Sequence, residues 1–363
     1  MAPTFDTEIV DKTGTAAGQV SLAVDETNTP WIAYATTGGS VVVAHRDEDG
    51  WTRTELPAGP AARDMYRIGL AIDSHERPHV AFANDADDHL IYGRCPDQWT
   101  FEEVPSNGGV LTGSVRFVSL RLHPGVFSDA AYKDTPNLAY QSGLNLWHAT
   151  KAPPKNAPDD PPRWRKNVHK VDGGDLVEKG WFPVLDFDAQ ETLRIASFDD
   201  LSATGQSVRR LRVATRVPGT DFPGQPDSWQ VEMLSDPQIS GEYPAMGHSI
   251  TGESFVSYYE RTGRTLTLCI FGNFPESPAT EAVDKQVVGD DVLSACGVNH
   301  NSRICVVYGS GGRLKFATRT GIATFDIQDV EAGGAWSDLV FDRDGSAHIA
   351  HMNGSELRYG LAP

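Results

Sequence analysis

Eleven residues of this chain fall at two adjacent registers once its repeating segments are superimposed, Tyr66, Arg116, Trp181 and Glu242 one step before the other seven, and their types suit chemistry on a small molecule. Trp336, Trp181, Phe117, Phe182 and Leu293, with Gln19 and Tyr66, offer apolar walls that shape a substrate and exclude water. Arg67 and Arg116 can orient and polarise its oxygens, and Tyr243 or Glu242 can serve as proton donor or base. No G-x-S-x-G elbow, phosphate loop or H-E-x-x-H motif occurs, so no metal, cofactor or Ser/Cys nucleophile can be assigned. Such a set fits cofactor-free chemistry: cyclisation, cycloaddition, elimination or isomerisation of an apolar, oxygen-bearing substrate. The alternative is that the aromatics merely plug a channel.

The elements that must position these residues are legible as a repeat. SLAVDETNTPWIAY (residues 21–34), GLAIDSHERPHVAF (69–82) and DLVFDRDGSAHIAH (338–351) share an apolar run, a polar turn and a second, alternating run. Looser copies lie near residues 119–140, 184–197, 245–258 and 295–308, which makes seven. A third alternating run follows most copies, and then a fourth that opens on an aromatic ring at Trp51, Trp99, Trp164, Trp229 or Phe325. Four short period-2 strands per unit, punctuated by Gly, Pro, Asn and Asp, read as a four-stranded meander. A single unit cannot bury its apolar faces, whereas copies stacked around an axis can. The seventh copy ends after three runs, and the segment from Phe5 to Val10 matches the missing fourth. The expected fold is therefore all-β, a seven-bladed β-propeller over residues 1–363 as one domain, closed by its N-terminal strand.

The D-x-x-x-x-P-x-(I/V)-A-(Y/F) pattern at Asp25 to Tyr34 and Asp73 to Phe82 resembles the repeats of sialidase-like and lectin-like seven-bladed propellers. The resemblance covers the whole chain and implies a scaffold rather than an activity. The S-x-D-x-G-x-x-W turn of true sialidases is absent. Lectins of this type bind glycans at repeated sites between blades, and the recurrent outer-strand tryptophans would suit them, but four of those rings also serve as repeat core. A glycan-binding lectin is thus the alternative to an enzyme, and a protein-interaction scaffold a third reading.

Thirty-one basic against 49 acidic residues leave a net charge of −18, which repels phosphate backbones and anionic lipid, so nucleic acid and membrane partners are not expected. The opening MAPTFDTEIV has no charged, apolar leader, and a cytoplasmic protein is the expectation. Four cysteines without C-x-x-C spacing give neither a disulfide framework nor a zinc site. Cys296 and Cys305 flank one turn and are read as reduced thiols. The inner strands offer only His123 and His248, too few for a histidine-held iron.

Several lesser features qualify the picture. Arg121 and Asp186 occupy one register in neighbouring units, which suggests a buried ion pair locking two blades. Glu260 and Arg261 are placed to pair at the surface, and Asp85, Asp87 and Asp88 read as a solvated acidic loop. The proline-rich insertions at 151–163 and 216–228 should emerge on the face opposite the proposed pocket, while Asp172 to Gly180 would form its movable edge.

Overall fold

The repeated aspartate turns out to be the fastening of each inner hairpin. In the computed structural model, which describes residues 3–57, 68–84, 89–105, 115–126, 132–152, 163–164, 169–173, 177–201, 209–217, 228–234, 241–249, 251–272, 278–289 and 292–363, the same turn recurs from blade to blade. Oδ1 of Asp25 accepts the N–H groups of Thr27 and Thr29, both at 2.9 Å. Asp73 does so for His75 and Arg77, and Asp188 for Gln190 and Thr192. Asn299 replaces the aspartate in one blade, accepting from Asn301 and Arg303. The residue three positions on must turn left-handed, as Asn28 (φ 67°), Glu76 (62°), Glu191 (60°), Ser302 (56°) and Gly345 (87°) do. The second carboxylate oxygen tethers the following strand: Trp31 Nε1 lies 3.0 Å from Asp25, His79 Nε2 3.3 Å from Asp73, Arg194 3.1 Å from Asp188 and His348 Nε2 3.1 Å from Asp342.

Seven antiparallel meanders result. Their inner strands are Ala16–Val24, Gly69–Ile72, Val115–Leu122, Glu178–Phe187, Glu242–His248, Ser294–Val298 and Ala335–Phe341, for blades 1 to 7 in order. Asp6–Asp11 pairs with Glu356–Ala362 and completes blade 7, closing the ring as expected. In the outer strand of blade 3 the described residues are Arg163–Trp164 and His169–Asp172, both paired with Asn145–Ala152. No helix among the described residues is long and apolar enough to cross a membrane.

Apolar side chains collect in seven clusters, each shared between two adjacent blades, so burial itself holds the ring together. Around the axis the inner strands are stapled by small or polar side chains at one register. Ser21 Oγ accepts the N–H of Leu70 (3.2 Å), Ser119 Oγ that of Leu185 (3.1 Å) and Asp338 Oδ2 that of Leu22 (2.9 Å). At the seam of blades 2 and 3 the equivalent residue is Gly69, where a Cβ would stand 2.6 Å from that of Leu120. The four cysteines are free thiols, and the register pairs Cys305 with Gly297 rather than with Cys296.

Two expected outcomes follow from the turn. Asp73→Ala removes the acceptor of two backbone N–H groups and the partner of Arg77 and His79, and should cost about 2–3 kcal/mol of unfolding free energy by urea denaturation; a loss below about 0.5 kcal/mol would contradict this role. Stability should also fall on acidification. Burial holds His79, His348 and His351 below the ordinary imidazole value of 6.5, although Asp73, Asp342 and Glu331 pull the other way. The unfolded chain therefore takes up protons first, and stability present above about pH 6.5 is lost as pH falls below it. Burial pushes Asp73 upward, but hydrogen bonds from the Arg77 side chain and from the N–H groups of Arg77 and His75 bring it to about 2, so its share is lost only between 3.8 and that value. A urea midpoint that stays constant from neutral pH to about pH 5 would rule out the histidine contribution.

Candidate functional site

The aromatic residues at the mouth are held in a conformation that their side chains disfavour. Phe117 (φ 52°), Phe182 (48°), Tyr243 (51°) and Trp336 (53°) are all left-handed, each inside an irregularity of its inner strand. For a bulky residue this costs on the order of 1–3 kcal/mol, and bulges of this kind re-aim side chains at ligand and catalytic sites. Blade 1 achieves the same bend with one additional residue, so Gly18 (φ 71°) is left-handed and Gln19 follows it. Leu293 lies just before its strand, which begins at Ser294.

These residues converge. The rings of Phe117 and Phe182 stack at 4.1 Å, Trp181 lies 5.1 Å from Phe117, and Tyr243 meets Phe182 edge-on at 4.8 Å. The Arg116 guanidinium sits 5.9 Å from the Trp181 ring centre, a cation–π contact. Phe198, which sequence reasoning missed, stacks against Trp181 and Phe182 and abuts Tyr243. Between Gln19, Phe182, Tyr243, Leu293 and Trp336 there remains a cavity of about 20 Å³, room for roughly one water. Among the described residues the aromatics crowd this end of the axis.

Glu242 is not placed as an acid–base group facing a substrate. It is 1% exposed, and its carboxylate accepts from Arg209 (2.8 Å) and, at both oxygens, from Arg261 (3.0 and 2.8 Å). Arg261 thus turns to Glu242 instead of serving chiefly as the expected surface partner of Glu260. Burial opposes the charge of Arg209, but Glu242 and Asp200 outweigh it and raise its pKa. Next to this cluster Asp199 is pushed upward by burial, although Arg212, at 2.9 Å, pulls the other way. Asp172 pairs with Lys179 and Arg212, and Glu178–Gly180 already belongs to the strand, so the described part of the expected movable edge is tied down. Tyr66, Arg67, Asp85, Asp87 and Asp88 lie outside the described residues, as does most of both proline-rich insertions.

Beside these rings, on the same face, a groove of about 430 Å³ runs between blades 6 and 7. Its walls include Trp336, Leu293, Val288, Val292 and Met352, and much of its floor is glycine backbone, from Gly309 to Gly312 and at Gly333 and Gly334. Gly309 is required because a Cβ there would meet the carbonyl oxygen of Gly334 at 2.4 Å. Among the described residues, none of the side chains lining this groove is ionisable. The sequence signal was a pair of glycine runs, one in the turn between the second and third strands of blade 6 and one in its link to blade 7.

The ring, its closure and its four-stranded units define a seven-bladed β-propeller. No protein-family model matches the chain, and no curated protein matches its sequence. Among solved structures it is similar to the polysaccharide lyase Uly1 (10% identity over 95% of this chain and 90% of that one, TM-score 0.58). It is also similar to AofleA from Arthrobotrys oligospora, a triple-arginine mutant (12%, 91% of each chain, TM-score 0.56). A third is the Cps50 (Swd1) propeller domain from Myceliophteria thermophila (10%, 98% and 99%, TM-score 0.55). At such identities the likeness establishes the fold alone.

Glu242→Gln should lower the melting temperature by several degrees, because it takes a charged partner from two arginines at once. An unchanged melting curve would return Glu242 to the list of residues available for proton transfer.

Proposed function

We propose that this protein is a small-molecule- or glycan-binding propeller whose ligand lies on the mouth face, in the groove bounded by Trp336. The observation that carries the reading is that groove: about 430 Å³, within the usual size of ligand pockets, walled by an indole and aliphatic side chains and floored by backbone. The described lining offers backbone and apolar surface, which suits a ligand of hydroxyls and apolar faces. A sugar ring meets such a surface with its apolar face on the walls and its hydroxyls on peptide groups. The mouth strain at Trp336 supports a binding role, since a left-handed tryptophan is retained only where the surrounding structure enforces it.

A second reading is favoured by the aliphatic part of the wall, Val288, Val292, Leu293 and Met352, which suits an apolar, oxygen-bearing molecule better than a sugar. On that reading the protein is a cofactor-free enzyme, a cyclase, pericyclase such as a Diels–Alderase, lyase or isomerase, in which the groove holds a reactive conformer. Tyr243, which shares the small mouth cavity with Trp336 and Leu293, is then the proton donor, and Arg116, stacked on Trp181, and Arg67 are the cationic groups.

The test is a thermal-shift and calorimetric screen of neutral mono- and oligosaccharides against terpenoid-like and polyketide-like compounds. Trp336→Ala should weaken the bound compound by about tenfold or more. Gly312→Asn, whose Cβ would meet nothing within 4 Å and whose φ of +74° asparagine tolerates, should weaken it too by occupying the space. A saccharide hit without turnover makes the protein a lectin, and conversion of an apolar hit makes it an enzyme. Binding indifferent to both substitutions would move the site elsewhere.

A further inference from the structure

The axis opens at its other end. Opposite the mouth, the inner strands and their hairpin turns surround a cavity of about 850 Å³. Much of its wall is apolar, with Leu122, Phe187, Val298, Leu339 and Phe341, but three charged groups from blades 3, 4 and 5 meet there. Asp186 Oδ2 lies 3.1 Å from His248 Nδ1, and Asp186 Oδ1 lies 3.7 Å from Arg121 Nε and 3.0 Å from the N–H of Phe187. The expected Arg121–Asp186 pair is therefore present but not buried, since the side chains are 39% and 20% exposed, and a histidine joins it.

The carboxylate of Asp186 is spent within this trio. It orients two cationic side chains while leaving part of each toward the cavity. A carboxylate only accepts, so Nδ1 of His248 is the donor and Nε2 is its remaining polar atom, on a side chain 34% exposed. Arg121 commits one Nη1 proton to the Leu120 carbonyl at 3.1 Å, and its fork has further N–H groups. The other charges lining the cavity are engaged elsewhere. Asp188 faces Arg194, Asp342 faces His348, Arg343 faces Glu26, Glu191 accepts from the N–H of Val126, and His300 contacts Asn301. Burial disfavours a charged His248, yet its hydrogen bond to Asp186 and the attraction of that carboxylate raise its pKa overall.

We infer that this basal cavity is a second binding site, independent of the mouth, for a small organic acid with an apolar body, its carboxylate held between Arg121 and His248. Planar guanidinium and imidazole donors match a carboxylate, and the surrounding aliphatic and aromatic side chains take the rest of the molecule.

Phenylpropionate, with phenylpropanol as its neutral counterpart, tests this by isothermal titration of the full chain at mildly acidic pH. The acid should bind saturably at one site per chain, about tenfold or more tighter than the alcohol, because two charge-assisted hydrogen bonds are lost with the charge. Arg121→Gln should weaken it to a similar degree, Arg121→Lys less, and Trp336→Ala not at all. Since Arg121 also braces Asp186, Val340→Trp provides a variant that fills the cavity without touching the trio, and it should abolish binding while the melting transition persists. No saturable binding at millimolar acid overturns the inference. So do equal affinities for acid and alcohol, binding retained in Val340→Trp, or a loss confined to Trp336→Ala, which would place the acid at the mouth.

Discussion

The bond on which the rest of this molecule depends is the one between a carboxylate and its own turn. In a hairpin of five turn residues the backbone N–H groups at the tip point inward and have no ladder partner. One oxygen of Asp25, Asp73 or Asp188 satisfies two of them, and the other reaches the strand that returns. The turn thereby fixes where the second strand starts, and since side chains alternate with a period of two, it fixes which face of the blade every later residue occupies. The tether differs in chemistry from blade to blade, an indole, an imidazole or a guanidinium, while the acceptor is conserved in place. In blades 2 and 7 the imidazole passes the connection on to a tyrosine hydroxyl at 2.6 Å, so turn, second strand and third strand are joined in one buried chain of hydrogen bonds.

Once the blades are set, the axis becomes the crowded place. Ser21, Ser119 and Asp338 bond directly to the next inner strand, and Gly69 lets backbone meet side chain where even a methyl group would collide. Large residues can enter this ring only at its end, where the strands have spare length, and there they need a bend. The left-handed bulge at Phe117, Phe182, Tyr243 and Trp336 supplies it. The stacking of these rings offsets part of the strain, and their convergence leaves a cavity of only about 20 Å³ among them.

Blade number, ring closure and the shared position of Phe117, Phe182, Tyr243 and Trp336 were legible in the sequence because each depends on position within a period. Phe117 and Trp336 could be superimposed without knowing any coordinate. What did not show was conformation and partnership. A positive φ leaves no mark on an aromatic residue, and the arginines that occupy Glu242 come from strands remote in sequence, Arg209 by 33 residues and Arg261 by 19. The pairing of Arg121 with Asp186 was visible because both sit at one register in adjacent units. His248 escaped because it belongs to the following blade at the strand's last position, where register no longer dictates direction. The groove between blades 6 and 7 was written in glycines, whose lack of side chains makes them easy to read as turns alone.

The two ends of the axis have opposite character, and the geometry of a splayed ring accounts for it. At the mouth, bulges bring apolar rings inward over the crowded staples, and a cavity of only about 20 Å³ remains among them. At the base the inner strands finish without a bulge and give way to the aspartate turns, whose carboxylates and their partners are already committed to holding hairpins. A charge standing there outside that scheme, as Arg121, Asp186 and His248 do, cannot be explained by turn formation. Nor is it needed to join blades 3, 4 and 5, whose seams are already filled by apolar clusters. Half-exposed charge over an apolar cavity weakens the shell unless it contributes elsewhere, and a complementary anion is the occupant that turns the arrangement from a cost into a contact.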